Sequence, residues 1–212
     1  LEITEYLLWK GALVSNYISV PAAKGLKDMV FLLLEYGANP DEAMRKAVDN
    51  NHIEIVKMLL EYGANTNGQL ATPAAKGDAE LVNVLLAGGA NPNDGMQIAV
   101  DKNRTAIVEI LLRHGARAKG FIETPIRRNN REMTLLLLDA GANPNEGMLL
   151  AVQKENLEMV RTLLKYGADG AKIEFMKIAV EKANANLVTT LAEAGANVNH
   201  RFVDGQYLMH IA

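Results

Sequence analysis

Apolar side chains recur along this chain in pairs set at a fixed interval. Leu7-Leu8, Leu33-Leu34, Leu59-Leu60, Leu85-Leu86, Leu111-Leu112, Leu137-Leu138 and Leu163-Leu164 are 26 residues apart, and an eighth copy weakens to Leu191-Ala192. Three and four residues before each pair lie further apolar positions, such as Ile55-Val56, Leu81-Val82 and Ile107-Val108. Those spacings place the side chains on one face of a helix. Glu54, Lys57 and Glu61 fall between them, on the face left to water.

A Gly-Ala pair closes each copy, at Gly11, Gly37, Gly63, Gly89, Gly115, Gly141, Gly167 and Gly195; six steps are 26 residues and the last is 28. Glycine takes the left-handed conformation without a Cβ penalty, so these positions read as helix stops. The Asn that often follows (Asn39, Asn65, Asn91, Asn143, Asn197) suits a turn. Upstream lies a second, shorter helical patch: Ala43 to Val48, Met96 to Val100, Met148 to Val152 and Phe175 to Val180. Each unit is thus a short helix, a tight turn, a longer helix and a loop. One unit cannot bury its apolar face alone, so neighbours must stack. A 26-residue period also falls in the leucine-rich-repeat range, but the L-x-x-L-x-L-x-x-N pattern around a strand is absent.

The segments Ile55-Val56-Lys57-Met58-Leu59-Leu60-Glu61-Tyr62-Gly63-Ala64-Asn65 and Ile107 to Ala116 resemble the second helix of the ankyrin repeat family. Ala74-Ala75-Lys76-Gly77-Asp78-Ala79-Glu80-Leu81-Val82 resembles that family's A-A-x-x-G-H-x-x-I-V stretch. The resemblance covers nearly the whole chain and implies an all-α, ankyrin-type helical-hairpin repeat solenoid. Residues 1–212 read as a single array, with units ending near 12, 38, 64, 90, 116, 142, 168 and 196, then a partial repeat over 197–212. Ankyrin units are usually about 33 residues; here the missing residues fall in the hairpin and the start of the first helix, and the T-P-L-H opening is absent. Binding through hairpin tips is therefore not expected, which leaves the concave face lined by first helices. Leu208, Met209 and Ile211 have no second helix to cover them, and the opening around Leu7 to Ala12 lies midway through a unit. Both ends predict a fragment of a longer protein.

The units also alternate. Pro40, Pro92 and Pro144 recur at 52 residues, as do Met44, Met96 and Met148. In the intervening units Pro21, Pro73 and Pro125 occupy the column held elsewhere by Ala47, Ala99 and Ala151. Proline is tolerated in the first helical turn and costly inside a helix. Thr72-Pro73 and Thr124-Pro125 read as N-cap and first helical residue, after an extended stretch such as Gly68 to Ala71. First helices of about one turn should therefore alternate with first helices of two.

Composition narrows the function. The chain is 49% hydrophobic and only 5% aromatic, so its core must be built from Leu, Val, Ile, Met and Ala; Trp9 and the Met column read as packing residues. A net charge of −3 gives no reason to expect nucleic-acid or membrane binding. With no cysteine, disulfides and thiolate metal sites are excluded. The apolar runs are too short to span a bilayer, and no secretion signal opens the chain. His52, His114, His200 and His210 lack zinc-ligand spacing; His114, just before a stopping glycine, suits an interaction with terminal carbonyls. Asn91-Pro92-Asn93-Asp94-Gly95 lacks the oxygen ligands of a calcium loop. No phosphate-loop, nucleophile-elbow or dinucleotide motif is present. The reading is a non-enzymatic, cofactor-free and metal-free monomer in the cytoplasm, or in a host cytosol if it is a secreted effector.

One column is basic. Thirteen residues before each stopping glycine stand Lys24, Asn50, Lys76, Lys102, Arg128, Lys154 and Lys182. The resemblance places this column at the ends of the first helices, toward the concave side. Two readings stay open: a stripe for an acidic segment of a partner protein, densest at Arg128 beside Arg127 and Arg131, or cations that complement helix dipoles, about 0.3–1 kcal/mol each. Asp49, Asp101 and Glu181 neutralise part of the column. The function expected is a protein–protein interaction scaffold; the alternative is the recognition arm of a larger enzyme or secreted effector.

Overall fold

A computed structural model describes residues 2–11, 14 and 17–199. Ala12, His200, His210 and the apolar end at Leu208, Met209 and Ile211 lie outside the described residues. The described residues form helices and no strand: α1 (Glu2–Trp9), α2 (Ser19–Ala23), α3 (Lys27–Glu35), α4 (Asp41–Asp49), α5 (Ile53–Glu61), α6 (Ala71–Lys76), α7 (Ala79–Ala87), α8 (Asn93–Asp101), α9 (Thr105–Arg113), α10 (Glu123–Arg127), α11 (Arg131–Asp139), α12 (Asn145–Gln153), α13 (Leu157–Lys165), α14 (Ile173–Glu181) and α15 (Ala185–Glu193). They fall into two compact units, Leu1–Ala116 and Arg117–Ala212.

Within the first unit, first helices pack on first helices (α2 on α4, α4 on α6, α6 on α8) and second helices on second helices (α3 on α5, α5 on α7, α7 on α9). The second unit repeats this, with α10 on α12, α12 on α14 and α13 on α15. The leucine column fills the seam: Leu59, Leu85, Leu111, Leu137, Leu163 and Leu191 are fully buried, as are Met44, Met96 and Met148. At roughly 25 cal/mol per Å² of apolar surface removed from water, each such side chain contributes about 1.5–3 kcal/mol.

All eight stopping glycines have φ between +82° and +93°. At the end of α5, for example, the Gly63 N–H donates to Leu60 O (2.9 Å) and Ala64 N–H to Leu59 O (2.9 Å), which satisfies the terminal carbonyls. The following Asn then builds the turn. Asn39, Asn65, Asn91, Asn143 and Asn197 each accept, through Oδ1, the backbone N–H two residues on, at 2.8–3.1 Å.

First-helix lengths alternate as the prolines require. α2, α6 and α10 have 5, 6 and 5 residues, whereas α4, α8 and α12 have 9. The last unit, which has no proline in that column, keeps 9 in α14. The local details differ from expectation. Leu70 and Ile122 stand at the N-cap positions, so Thr72 and Thr124 are second and Pro73 and Pro125 third in their helices. Proline fits there because the first four N–H groups of a helix have no partner to lose. Thr72 Oγ1 instead donates to Asp49 Oδ1 of the preceding repeat (3.0 Å). Gly68 to Ala71 is not extended: Gln69 N–H closes a turn on Thr66 O (3.1 Å), with Gly68 at φ +70°. Trp9 is not a packing residue either. It is 67% exposed, lies 6.1 Å from the Tyr6 ring centroid and carries the Lys10 ammonium over its face at 4.3 Å.

Candidate interaction surface

Every member of the basic column ends a first helix. Lys24, Asn50, Lys102, Arg128, Lys154 and Lys182 are the cap residues of α2, α4, α8, α10, α12 and α14, and Lys76 is the last residue of α6. All seven are exposed. The residue after each is left-handed: Gly25, Asn51, Gly77, Asn103, Asn129, Glu155 and Ala183, with φ from +50° to +81°. This second helix stop swings the chain from each first helix into its second. At Asp78, Asn130, Asn156 and Asn184 a side-chain oxygen then caps the second helix, accepting the N–H three residues on at 2.9–3.1 Å.

The column also ties adjacent repeats. Lys76 Nζ donates to Asp49 O (2.8 Å), and Lys154 Nζ to Arg127 O (2.8 Å). His52 and Arg104, two positions further on, do the same work: His52 Nε2 donates to Ala23 O (3.0 Å) and Arg104 Nε to Ala75 O (3.0 Å). Ala23, Asp49 and Ala75 are spaced by 26 residues, so three successive first helices of the first unit each present a C-terminal carbonyl to the next repeat. Such carbonyls carry the negative end of the helix dipole and favour a donor, above all a charged one. Sequence reading missed His52 and Arg104, because their partners lie 29 residues away. The signal was a large donor, His52 or Arg104, at the capping position of α5 and α9, where Asp78, Asn130, Asn156 and Asn184 stand in other repeats; Leu26 at the start of α3 carries neither.

Lys182 lies 3.4 Å from Glu155, which also accepts from Asn184 Nδ2 (3.1 Å). The Asn184 hydrogen bond, aided by the Lys182 charge, holds the Glu155 carboxyl below the usual carboxylate range. Tyr62 and Tyr166 bridge neighbouring second helices, their hydroxyls donating to Glu35 and to Asp139 Oδ1 (2.5 Å in the latter). Hydrogen bonding to a carboxylate pushes both phenols up. His114 Nδ1 donates to Ile110 O (2.9 Å), the terminal carbonyl contact its position suggested.

In the second unit the first helices line a recess of about 430 Å³. Its floor includes Leu149, Leu150 and Phe175; Arg127, Lys172 and Glu174 stand around it. Arg127 pairs with Glu123 at 3.6 Å, and the Lys172 ammonium sits 5.8 Å from the Phe175 ring centroid. Among the described residues no group of three or more His, Asp or Glu could hold a metal, and no helix is long and apolar enough to cross a membrane.

Paired short helices, glycine stops and stacking of like on like are the marks of one class of repeat. Residues 17–94 match the family model of ankyrin repeats, in three copies, and this stretch of the chain consists of ankyrin repeats. The all-helical architecture is that of the ankyrin helical-hairpin solenoid. Ankyrin repeats are generally protein–protein interaction modules and typically non-catalytic. No curated protein matches the chain significantly.

Proposed function

We propose that this chain is a scaffold that holds an acidic segment of another protein against the concave face formed by its first helices. The observation behind this reading is the recurrence of an exposed cation at the same first-helix terminus in six repeats: Lys24, Lys76, Lys102, Arg128, Lys154 and Lys182. The carbonyl ties do not exhaust them. An ammonium has three N–H donors, so Lys76 and Lys154 each keep two for a partner carboxylate while one steadies the array. Within each of the two units a linear acidic segment would meet these cations one repeat at a time. In the second unit the recess beside Phe175 would take an apolar side chain of such a segment.

Affinity capture with the wild-type chain and with a Lys102→Glu, Arg128→Glu variant tests this. The thermal melt of the variant, set beside that of the wild type, serves as the control for its fold. Proteins retained by the wild type and lost from the variant, with retention that weakens as salt is raised, support the reading. Identical retained sets would refute it.

A further inference from the structure

We infer that the hairpin between α5 and α6 is a self-modification site, at which Asn67 loses its side-chain amide to attack by the Gly68 nitrogen. Asn67 is the one asparagine of the sequence that precedes a glycine. Both residues are exposed, and a Cβ on Gly68 would meet nothing within 4 Å. No side chain crowds the nitrogen, and water reaches the turn. The reaction also needs that nitrogen to be free, whereas a backbone N–H is normally engaged. Here the neighbours are engaged. Asn67 N–H donates to Asn65 Oδ1 (2.8 Å) and Gln69 N–H to Thr66 O (3.1 Å), while the Gly68 N–H has no acceptor among the described residues.

The counterpart turn 52 residues on, in the second unit, shows what can occupy this N–H. There Gly120 N–H donates to Glu146 Oε2 at 3.2 Å. Asp94, the counterpart of Glu146, is one methylene shorter, and its Oδ1 accepts from Asn91 Nδ2 (3.1 Å) instead. A bonded amide must give up its acceptor before its nitrogen can attack, which raises the barrier. The second-unit turn also carries Lys119 where the first carries Asn67. The first unit thus joins the reactive pair to an unclamped nucleophile. Water is the one co-reactant. The Gly68 nitrogen gives up its proton and bonds to Asn67 Cγ; the Cγ–Nδ2 bond breaks, and ammonia leaves with a proton as a cyclic imide closes. Water then opens the imide at either carbonyl. Opening at one leaves an aspartyl residue. Opening at the other routes the backbone through the former side chain, one methylene longer, and undoes the turn that Gln69 closes on Thr66. Both products carry one more negative charge, and neither depends on the acidic-segment reading.

The test ages the folded chain in warm, mildly alkaline buffer and maps its peptides by mass spectrometry. Isoaspartyl product is counted by methyl transfer from labelled S-adenosylmethionine with isoaspartyl methyltransferase. Conversion should fall on Asn67, at least tenfold faster than on any other asparagine. Asn67→Lys, the residue of the counterpart turn, should remove the signal. Asp94→Glu restores the longer carboxylate and should slow conversion in the folded chain about tenfold, the effect of one hydrogen bond on a barrier. In urea the same substitution should leave the rate unchanged. Amide exchange gives a check without mutation, since Gly68 N–H should exchange faster than Gly120 N–H. Absence of product at Asn67, or conversion much slower in the folded chain than in urea, overturns the proposal. So does an Asp94→Glu rate equal to that of the wild type, or exchange at Gly68 no faster than at Gly120.

Discussion

Replacing Gly77 by Ala should destabilise the array more than replacing Gly63 by Ala, although both glycines have φ near +80°. The backbone contribution is common to the two. An L-residue in the left-handed region costs roughly 1–2 kcal/mol, offset by about 0.4–1 kcal/mol because Ala has less freedom than Gly to lose on folding. The net is about 1 kcal/mol at either site. The surroundings then separate them. A Cβ on Gly63 meets nothing within 4 Å, whereas on Gly77 it would lie 3.2 Å from Arg104 Cδ and 3.3 Å from Arg104 Nε. Arg104 is the side chain that ties the carbonyl of Ala75, so making room displaces the tie. Taking a further ~1 kcal/mol for an exposed hydrogen bond, Gly77→Ala should cost about 2 kcal/mol and Gly63→Ala about 1. Urea titration followed by circular dichroism gives the total. Hydrogen exchange at the end of α6 shows whether the loss is local, which matters because repeat arrays need not unfold in one step. In an Arg104→Ala background the excess at Gly77 should vanish. Equal costs at the two glycines, or an excess that survives Arg104→Ala, would show that the carbonyl tie has no part in holding the repeats together.

Ala183 is left-handed at φ +50° without being Gly or Asn, so Ala183→Gly should stabilise by about 0.5–1 kcal/mol, read as a raised urea midpoint. Met96→Ala removes a fully buried side chain between repeats and should cost about 2–5 kcal/mol by the same assay. The Glu155 carboxyl has its folded pKa lowered by Asn184 and Lys182, so its contribution is present above the unfolded pKa and lost as pH falls through the folded one. Asn184→Ala should flatten stability against pH in that acidic window, whereas an unchanged profile would show that the carboxylate is not held.

The repeats were legible because glycine and leucine columns write the end and the buried face of each second helix directly into the sequence. The alternation of first helices was legible for a similar reason, since Pro21, Pro73 and Pro125 leave no room for a second turn. What escaped was whatever depends on a partner in another repeat. The second left-handed column is clear at Gly25, Asn51, Gly77, Asn103 and Asn129, but Glu155 and Ala183 obscure it. The donors His52 and Arg104 look like unremarkable surface residues until the carbonyls of Ala23 and Ala75 are beside them. Trp9 misled through its size, because a lone tryptophan in an aromatic-poor chain suggests core. Its place on α1 is instead the outer one, against Tyr6 and Lys10.

A helix of nine residues set beside one of five or six has consequences for how such a chain can grow or shrink. Between α2 and α12, excising 26 residues would bring two long or two short neighbours together and mismatch the prolines. Excising 52 leaves every surviving neighbour facing the sort of surface it faced before. Along α2 to α12 the repeating module is therefore a couplet, and length variants of that stretch should differ by even numbers of repeats, whereas α14, a second long first helix packed on α12, ends the alternation.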